Sequence, residues 1–208
     1  MSVIGVLLAA GRGRRLGGNK QLSPWTTSHG SGTLVTSAFD HISVACDEIV
    51  VVLGHRHIEV EDVLRPRVYA TVNVDADAEM AHSVLAGVEF ALRVKDVECI
   101  LLQLGDHPQV APSTLGTILR TARDLDTAVA PQHQGAHGHP IAIPTRLARE
   151  ITRNGLPRGL AEWFRADPSR RTFIEVDDPS VLIDIDTPRD LAEAASTATS
   201  ANHLSSPG

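Results

Sequence analysis

Apolar residues along this chain gather into short runs, separated by segments in which they recur every three or four positions. The runs at 3–9, 48–53, 69–74, 99–104, 127–130 and 141–143 read as strands, and the first is apolar on both faces, as a central strand covered by helices must be. Between the early runs, Leu34, Ala38, Ile42 and Ala45 fall on one helical face, and Leu85, Val88 and Leu92 mark a second helix. Residues 112–125 predict a third, with Pro112 in the first turn, where its missing N–H is no loss. Thr187, Pro188 and Asp190 read as the N-cap, first residue and first-turn acid of a last helix. Strands alternating with helices pair in parallel through right-handed crossovers, so the expected architecture is three-layer α/β/α with a mostly parallel sheet. Residues 1–196 are expected to form one domain, and 197–208, rich in Ser, Ala and Pro, a disordered tail.

With 208 residues, 42% of them apolar, one α/β core is affordable and two would be cramped. The net charge of −6 weighs against general nucleic-acid binding. Cys46 and Cys99 read as buried free thiols of a reducing compartment, and with no leader or bilayer-length apolar run the expectation is a cytoplasmic protein away from membranes.

The candidate chemistry begins where the first strand ends. Residues 11–18 hold four glycines, and Arg12, Arg14, Arg15 and Lys20 surround them. Such a loop lets backbone N–H groups approach phosphate oxygens while the cations supply countercharge. A Walker A loop is excluded, because Lys20 lies two places past the last glycine and Gln21 follows it. A dinucleotide fingerprint fits only in a stretched form through Gly11, Gly13 and Gly17.

Leu8-Ala9-Ala10-Gly11, followed by Arg15, Gly17 and Lys20, resembles the signature of the nucleotidyltransferases of molybdenum cofactor assembly, in their cytidylyltransferase-like branch. Asn73 with Ser83 and Gly87, the Gly105-Asp106-His107-Pro108 quartet, Gly135 to Pro140, and Asp184 to Leu191 resemble that family's further motifs in order. The resemblance spans nearly the whole chain and implies a Rossmann-like nucleotidyltransferase fold. It also implies Mg²⁺-dependent transfer of CMP from CTP to a molybdopterin-type cofactor, with release of pyrophosphate and possible service to a molybdoenzyme apoprotein.

In open parallel sheets ligands sit outside the carboxyl ends of the strands, where the arginine loop, Asn73 and Asp106 can meet. Asp106, following an apolar strand, suits Mg²⁺, which takes one or two carboxylates plus substrate phosphates. Asp184 and Asp186 alternate along a strand-like stretch and so face opposite sides, and the resemblance favours Asp186 as the second metal ligand. Lys20 and Arg15 are placed on the triphosphate, to stabilise charge on the leaving pyrophosphate. Leu8, Ala9, Ala10, Gly11, Gly13, Asn73 and Ser83 are the nucleotide-binding candidates, and the resemblance points His139 at the pterin. Arg12 and Arg14 match no required position and are expected to be solvated. His55/His57 and His137/His139 are spaced like metal pairs on strands, but zinc needs further ligands near each. The resemblance sets Ala10 where the guanylyltransferase branch has glycine, and a methyl there leaves less room for a purine, which implies CTP over GTP. Glu79, where the family has glycine, would repel phosphate unless turned away.

Two other readings stay open. The family includes NAD(P)H-dependent reductases of quinone-like pigments, and the same loop could seat a dinucleotide pyrophosphate. A cofactor carrier without chemistry is the third possibility.

Overall fold

The structure, a computed structural model, describes residues 2–13, 20–27, 30–185, 187 and 189–191. Arg14, Arg15, Asp186, Pro188 and the C-terminal tail lie outside the described residues. In chain order the strands and helices are β1 (Ser2–Ala9), β2 (Pro24–Thr27), β3 (Gly30–Thr33), α1 (Leu34–Ser43), β4 (Glu48–Leu53), α2 (His57–Leu64), β5 (Ala70–Asn73), α3 (Met80–Ala91) and β6 (Val97–Leu104). There follow α4 (Pro112–Leu125), β7 (Ala128–His133), β8 (Ala136–His137), β9 (Ile141–Pro144), α5 (Thr145–Asn154), α6 (Leu160–Ala166) and β10 (Arg171–Glu175).

The main sheet runs β10-β7-β9-β6-β1-β4-β5, with β8 beside β7. β1 pairs in parallel with β4 and β6, β4 with β5, and β10 with β7, whereas β9 is antiparallel to both β6 and β7. The sheet is therefore mixed but mostly parallel. Along β1, Val3, Leu7 and Ala9 pack to one face and Ile4, Val6 and Leu8 to the other, as the period of two requires. α1, α2 and α4 cover the first face and α3, α5 and α6 the second, giving three layers. α3 lies close on the sheet because Gly87 has no side chain there, a Cβ being only 2.5 Å from Val6 Cγ1 and 2.8 Å from Val52 Cγ2.

Strand order reverses between β1 and β6, and the carboxyl ends of that pair open the crevice where α/β folds bind ligands. The β2–β3 hairpin forms a separate two-stranded sheet nearby. Its Trp25 is buried with Leu34 and Ile185 in a small core of their own, against which Ile183 and Leu191 also pack. Thr187, expected as an N-cap, and Asp190, expected as a first-turn acid, cap each other: Asp190 N donates to Thr187 Oγ1 (3.2 Å), and Thr187 N to Asp190 Oδ2 (2.7 Å). Both cysteines are free, and burial pushes each thiol up to about 12. Among the described residues no helix is long and apolar enough to cross a membrane.

Candidate functional site

The loop after β1 is tied down by specific contacts. Gln21 Nε2 donates to Gly11 O at 2.7 Å. Gly13 sits at φ +55°, and a Cβ there would lie 2.3 Å from Lys20 Cβ, so the glycine is what lets the loop close against Lys20. Arg12 is anchored rather than solvated, which corrects the sequence reading: its Nε donates to Ala76 O at 3.1 Å and its guanidinium pairs with Asp77. It clamps the first loop to the segment leading into α3.

Lys20 opens a 3-10 turn, Lys20–Leu22, and is 6% exposed. Its Nζ lies 2.6 Å from Asp106 Oδ2 and 3.1 Å from Asp184 Oδ1. Asp106 follows β6 in a turn held from several sides. Gln103 Nε2, buried within β6, donates to His107 O at 2.8 Å, Gly105 N donates to Leu8 O at 2.9 Å, and Ile185 N donates to Asp106 O at 3.3 Å. The other carboxylate oxygen, Asp106 Oδ1, is buried without a hydrogen-bond partner.

Asp184 does not stand on a strand as the alternation argument assumed. It lies in an irregular stretch after the 3-10 turn Pro179–Leu182. Ile183 and Ile185 pack toward Trp25, and Asp184 between them pairs with Lys20. One ligand atom each from Asp106, His107 and Asp184 lies within 4.8 Å of the others, a group able to hold a metal ion. The His107 and His139 rings meet edge to face at 5.0 Å. His139 Nδ1 is buried without a hydrogen-bond partner, and burial, reinforced by His107, lowers its pKa to about 4.

Two cavities adjoin this cluster. One of about 310 Å³ is lined by Leu8, Ala10, Gly11, Arg12, Ser83 and Asp106, among others. A second, about 350 Å³ and mainly apolar, shares Leu8, Met80 and Leu104 with the first and extends to His139, Phe164 and Phe173. The structure thus gathers Leu8, Ala10, Gly11, Ser83 and Asp106 around one space. It does not bring Asn73 there: Asn73 ends β5 exposed and outside that lining. Ala9 is fully buried in the core, which leaves only its backbone for a ligand. Glu79 lines an adjoining groove with His82 and Glu89 and is not part of the lining of the cavity that reaches Asp106. Among the described residues neither histidine pair belongs to a group of three or more potential metal ligands. His57 begins a helix, while His137 stacks on Phe173 at 3.7 Å and His139 faces His107.

Sequence reasoning passed over His107, Gln103 and the clamp made by Arg12. Gln103 carried a signal, being the one polar side chain in the apolar run 100–104.

A glycine-rich loop after the first strand, with a lysine and two carboxylates at the sheet's switch point, defines a protein of the nucleotide-transferring α/β class. The chain belongs to the MobA-like NTP transferase domain family, whose model matches residues 5–172. It is 25% identical over 190 residues to the molybdenum cofactor cytidylyltransferase of Escherichia coli K12, covering 91% of this chain and 93% of that protein. It is 34% identical over 196 residues to the nicotine blue oxidoreductase of Paenarthrobacter nicotinovorans, covering 89% and 92%. A Mycobacterium tuberculosis H37Rv protein crystallised with manganese superposes with a TM-score of 0.73 at 23% identity, covering 95% of this chain and all of that one.

Proposed function

We propose that this chain is a cytidylyltransferase that moves CMP from CTP onto the phosphate of a molybdopterin-type acceptor. The observation that carries the reading is the Lys20 ammonium held between Asp106 and Asp184 at the edge of a cavity bounded by the glycine loop. An acceptor phosphate oxygen attacks the α-phosphorus of CTP, the bond from that phosphorus to the oxygen bridging the β-phosphate breaks, and pyrophosphate leaves. The nucleophile is already anionic, so no general base is needed. What the reaction demands is alignment and neutralisation of charge.

The residues divide that work. Backbone N–H groups of residues 10–13 face the phosphates, with Arg12 holding the loop in place. Lys20 and Arg15 take up charge developing on the pyrophosphate. Ala10 and Ser83 border the nucleotide, and His139, neutral at physiological pH, offers a hydrogen-bonding nitrogen at the acceptor side. A divalent ion fits here, because two hard carboxylates converge and Asp106 Oδ1 is an orphaned acceptor. Asp106 and Asp184 would hold Mg²⁺ or Mn²⁺, with Asp186 as a further candidate, and the ion would screen the phosphate charges.

One observation favours a second reading. The apolar cavity lined by Phe164 and Phe173, together with the 34% identical oxidoreductase, suits NAD(P)H-dependent reduction of a flat quinone-like substrate. Incubating the purified chain with each nucleoside triphosphate, Mg²⁺ and the pterin cofactor, and separately with NAD(P)H and a quinone, separates the two. Pyrophosphate release specific to CTP supports transfer, whereas NAD(P)H consumption without it supports reduction.

A further inference from the structure

We propose that the Lys20 ammonium is the resident cation of the Asp106–Asp184 pair, and that a divalent ion takes those oxygens only by displacing it toward the incoming triphosphate. The inference rests on the nucleotidyl-transfer reading and adds to it a coupling between metal and nucleotide binding. Lys20 Nζ is 2.6 Å from Asp106 Oδ2 and 3.1 Å from Asp184 Oδ1, and the same two carboxylates with His107 make up the potential metal-ligand group. Both cations therefore draw on the same two carboxylates. A buried lysine's ammonium and a dication sharing one carboxylate pair repel each other.

The lysine is built to move at one end only. Its base is pinned, because Gly13 packs against Lys20 Cβ and Gln21, the next residue, is bonded to Gly11 O. Three methylenes separate Cβ from the ammonium, and rotation about their bonds lets it exchange partners without moving the loop. The 310 Å³ cavity reaches Asp106, and phosphate oxygens seated there offer the ammonium charge-assisted bonds equivalent to those it gives up. Asp106 Oδ1, orphaned while the ammonium is in place, gains a partner once a dication arrives.

The chain has two lysines, Lys20 and Lys95, and Lys95 is exposed, so it serves as an internal reference. Competitive acetylation of the full chain with acetic anhydride, read by mass spectrometry, reports whether Lys20 is paired. Without metal, Lys20 should react at least tenfold more slowly than Lys95. Saturating Mn²⁺ without nucleotide should raise its relative reactivity fivefold or more, and CTP with Mn²⁺ should protect it again. In parallel, Lys20→Met and Lys20→Gln should bind Mn²⁺ alone at least tenfold more tightly than wild type, by calorimetry. Unchanged Lys20 labelling on adding Mn²⁺, or equal or weaker Mn²⁺ binding by the folded variants, overturns the exchange. If wild type binds Mn²⁺ with release of Lys20 but never binds CTP, the metal–lysine exchange stands, while the handover to a triphosphate and the nucleotidyl-transfer reading both fail.

Discussion

Asp106→Asn probes the centre of the site with one atom changed. The substitution removes the carboxylate charge 2.6 Å from a lysine that is 6% exposed, and leaves that lysine with Asp184, whose side chain is 49% exposed. Breaking a buried ion pair outright costs about 3–5 kcal/mol. Because Asp184 retains part of the neutralisation, the expected loss of stability is smaller, about 2 kcal/mol, and the fold should survive. The effect on turnover should be larger. An amide is a weaker ligand than a carboxylate for a hard dication, and losing the proposed ion's anchor should slow transfer by a hundredfold or more, about 2.7 kcal/mol in the barrier. Urea unfolding would measure the first quantity and CTP-dependent pyrophosphate release the second. Transfer within threefold of wild type in a folded Asp106→Asn protein would refute the assignment of Asp106 to the metal.

Three further changes test separate parts of the account. Ala10→Gly, at the wall of the 310 Å³ cavity proposed for the nucleotide, should raise turnover with GTP relative to CTP, and an unchanged ratio would place base selection elsewhere. Asp178 accepts from Ala111 N (3.0 Å), Thr114 Oγ1 (2.7 Å) and both Ser180 donors; burial pushes its carboxyl up, but the hydrogen bonds outweigh it and leave the pKa low. Asp178→Asn should therefore cost about 2 kcal/mol at pH 7 by urea unfolding, an advantage over the variant that fades as pH falls below the ordinary carboxylate range. His139, lowered to about 4, resists a proton that the unfolded chain accepts near pH 6.5, so the metal-free protein should lose up to about 3 kcal/mol between those values. His139→Gln should flatten the stability profile in that window, and an equally steep profile would mean that other groups control it.

How much of this was legible in the sequence follows from where the determinants lie. β1, β4 and β6 are apolar along both faces, and α4 repeats Leu115, Ile118, Leu119 and Ala122 at helical spacing, so local pattern alone announces them. The β2–β3 hairpin is short and carries Gly30 and Gly32, without the alternation that marks a strand. β10 is only partly buried, and α2, α5 and α6 gave too short or too polar a pattern to be recognised. The reversed direction of β9 depends on partners distant in sequence, which no local pattern carries. At the site, Asp106 was readable because an apolar strand delivers it to the sheet edge. Asp184 was not, because its orientation follows from Ile183 and Ile185 packing toward Trp25, more than 150 residues away in sequence. The anchoring of Arg12 likewise depends on Ala76 and Asp77, across the crevice.

The central claim is that this site performs metal-dependent cytidylyl transfer. The most direct measurement is pyrophosphate release from CTP by the wild-type chain, with Mg²⁺ and a molybdopterin-type acceptor, before and after adding a chelator. The account predicts release that requires the acceptor and is abolished by chelation, with no NAD(P)H oxidation by quinones above a blank. Absence of release, alongside chelator-insensitive NAD(P)H consumption, would contradict it.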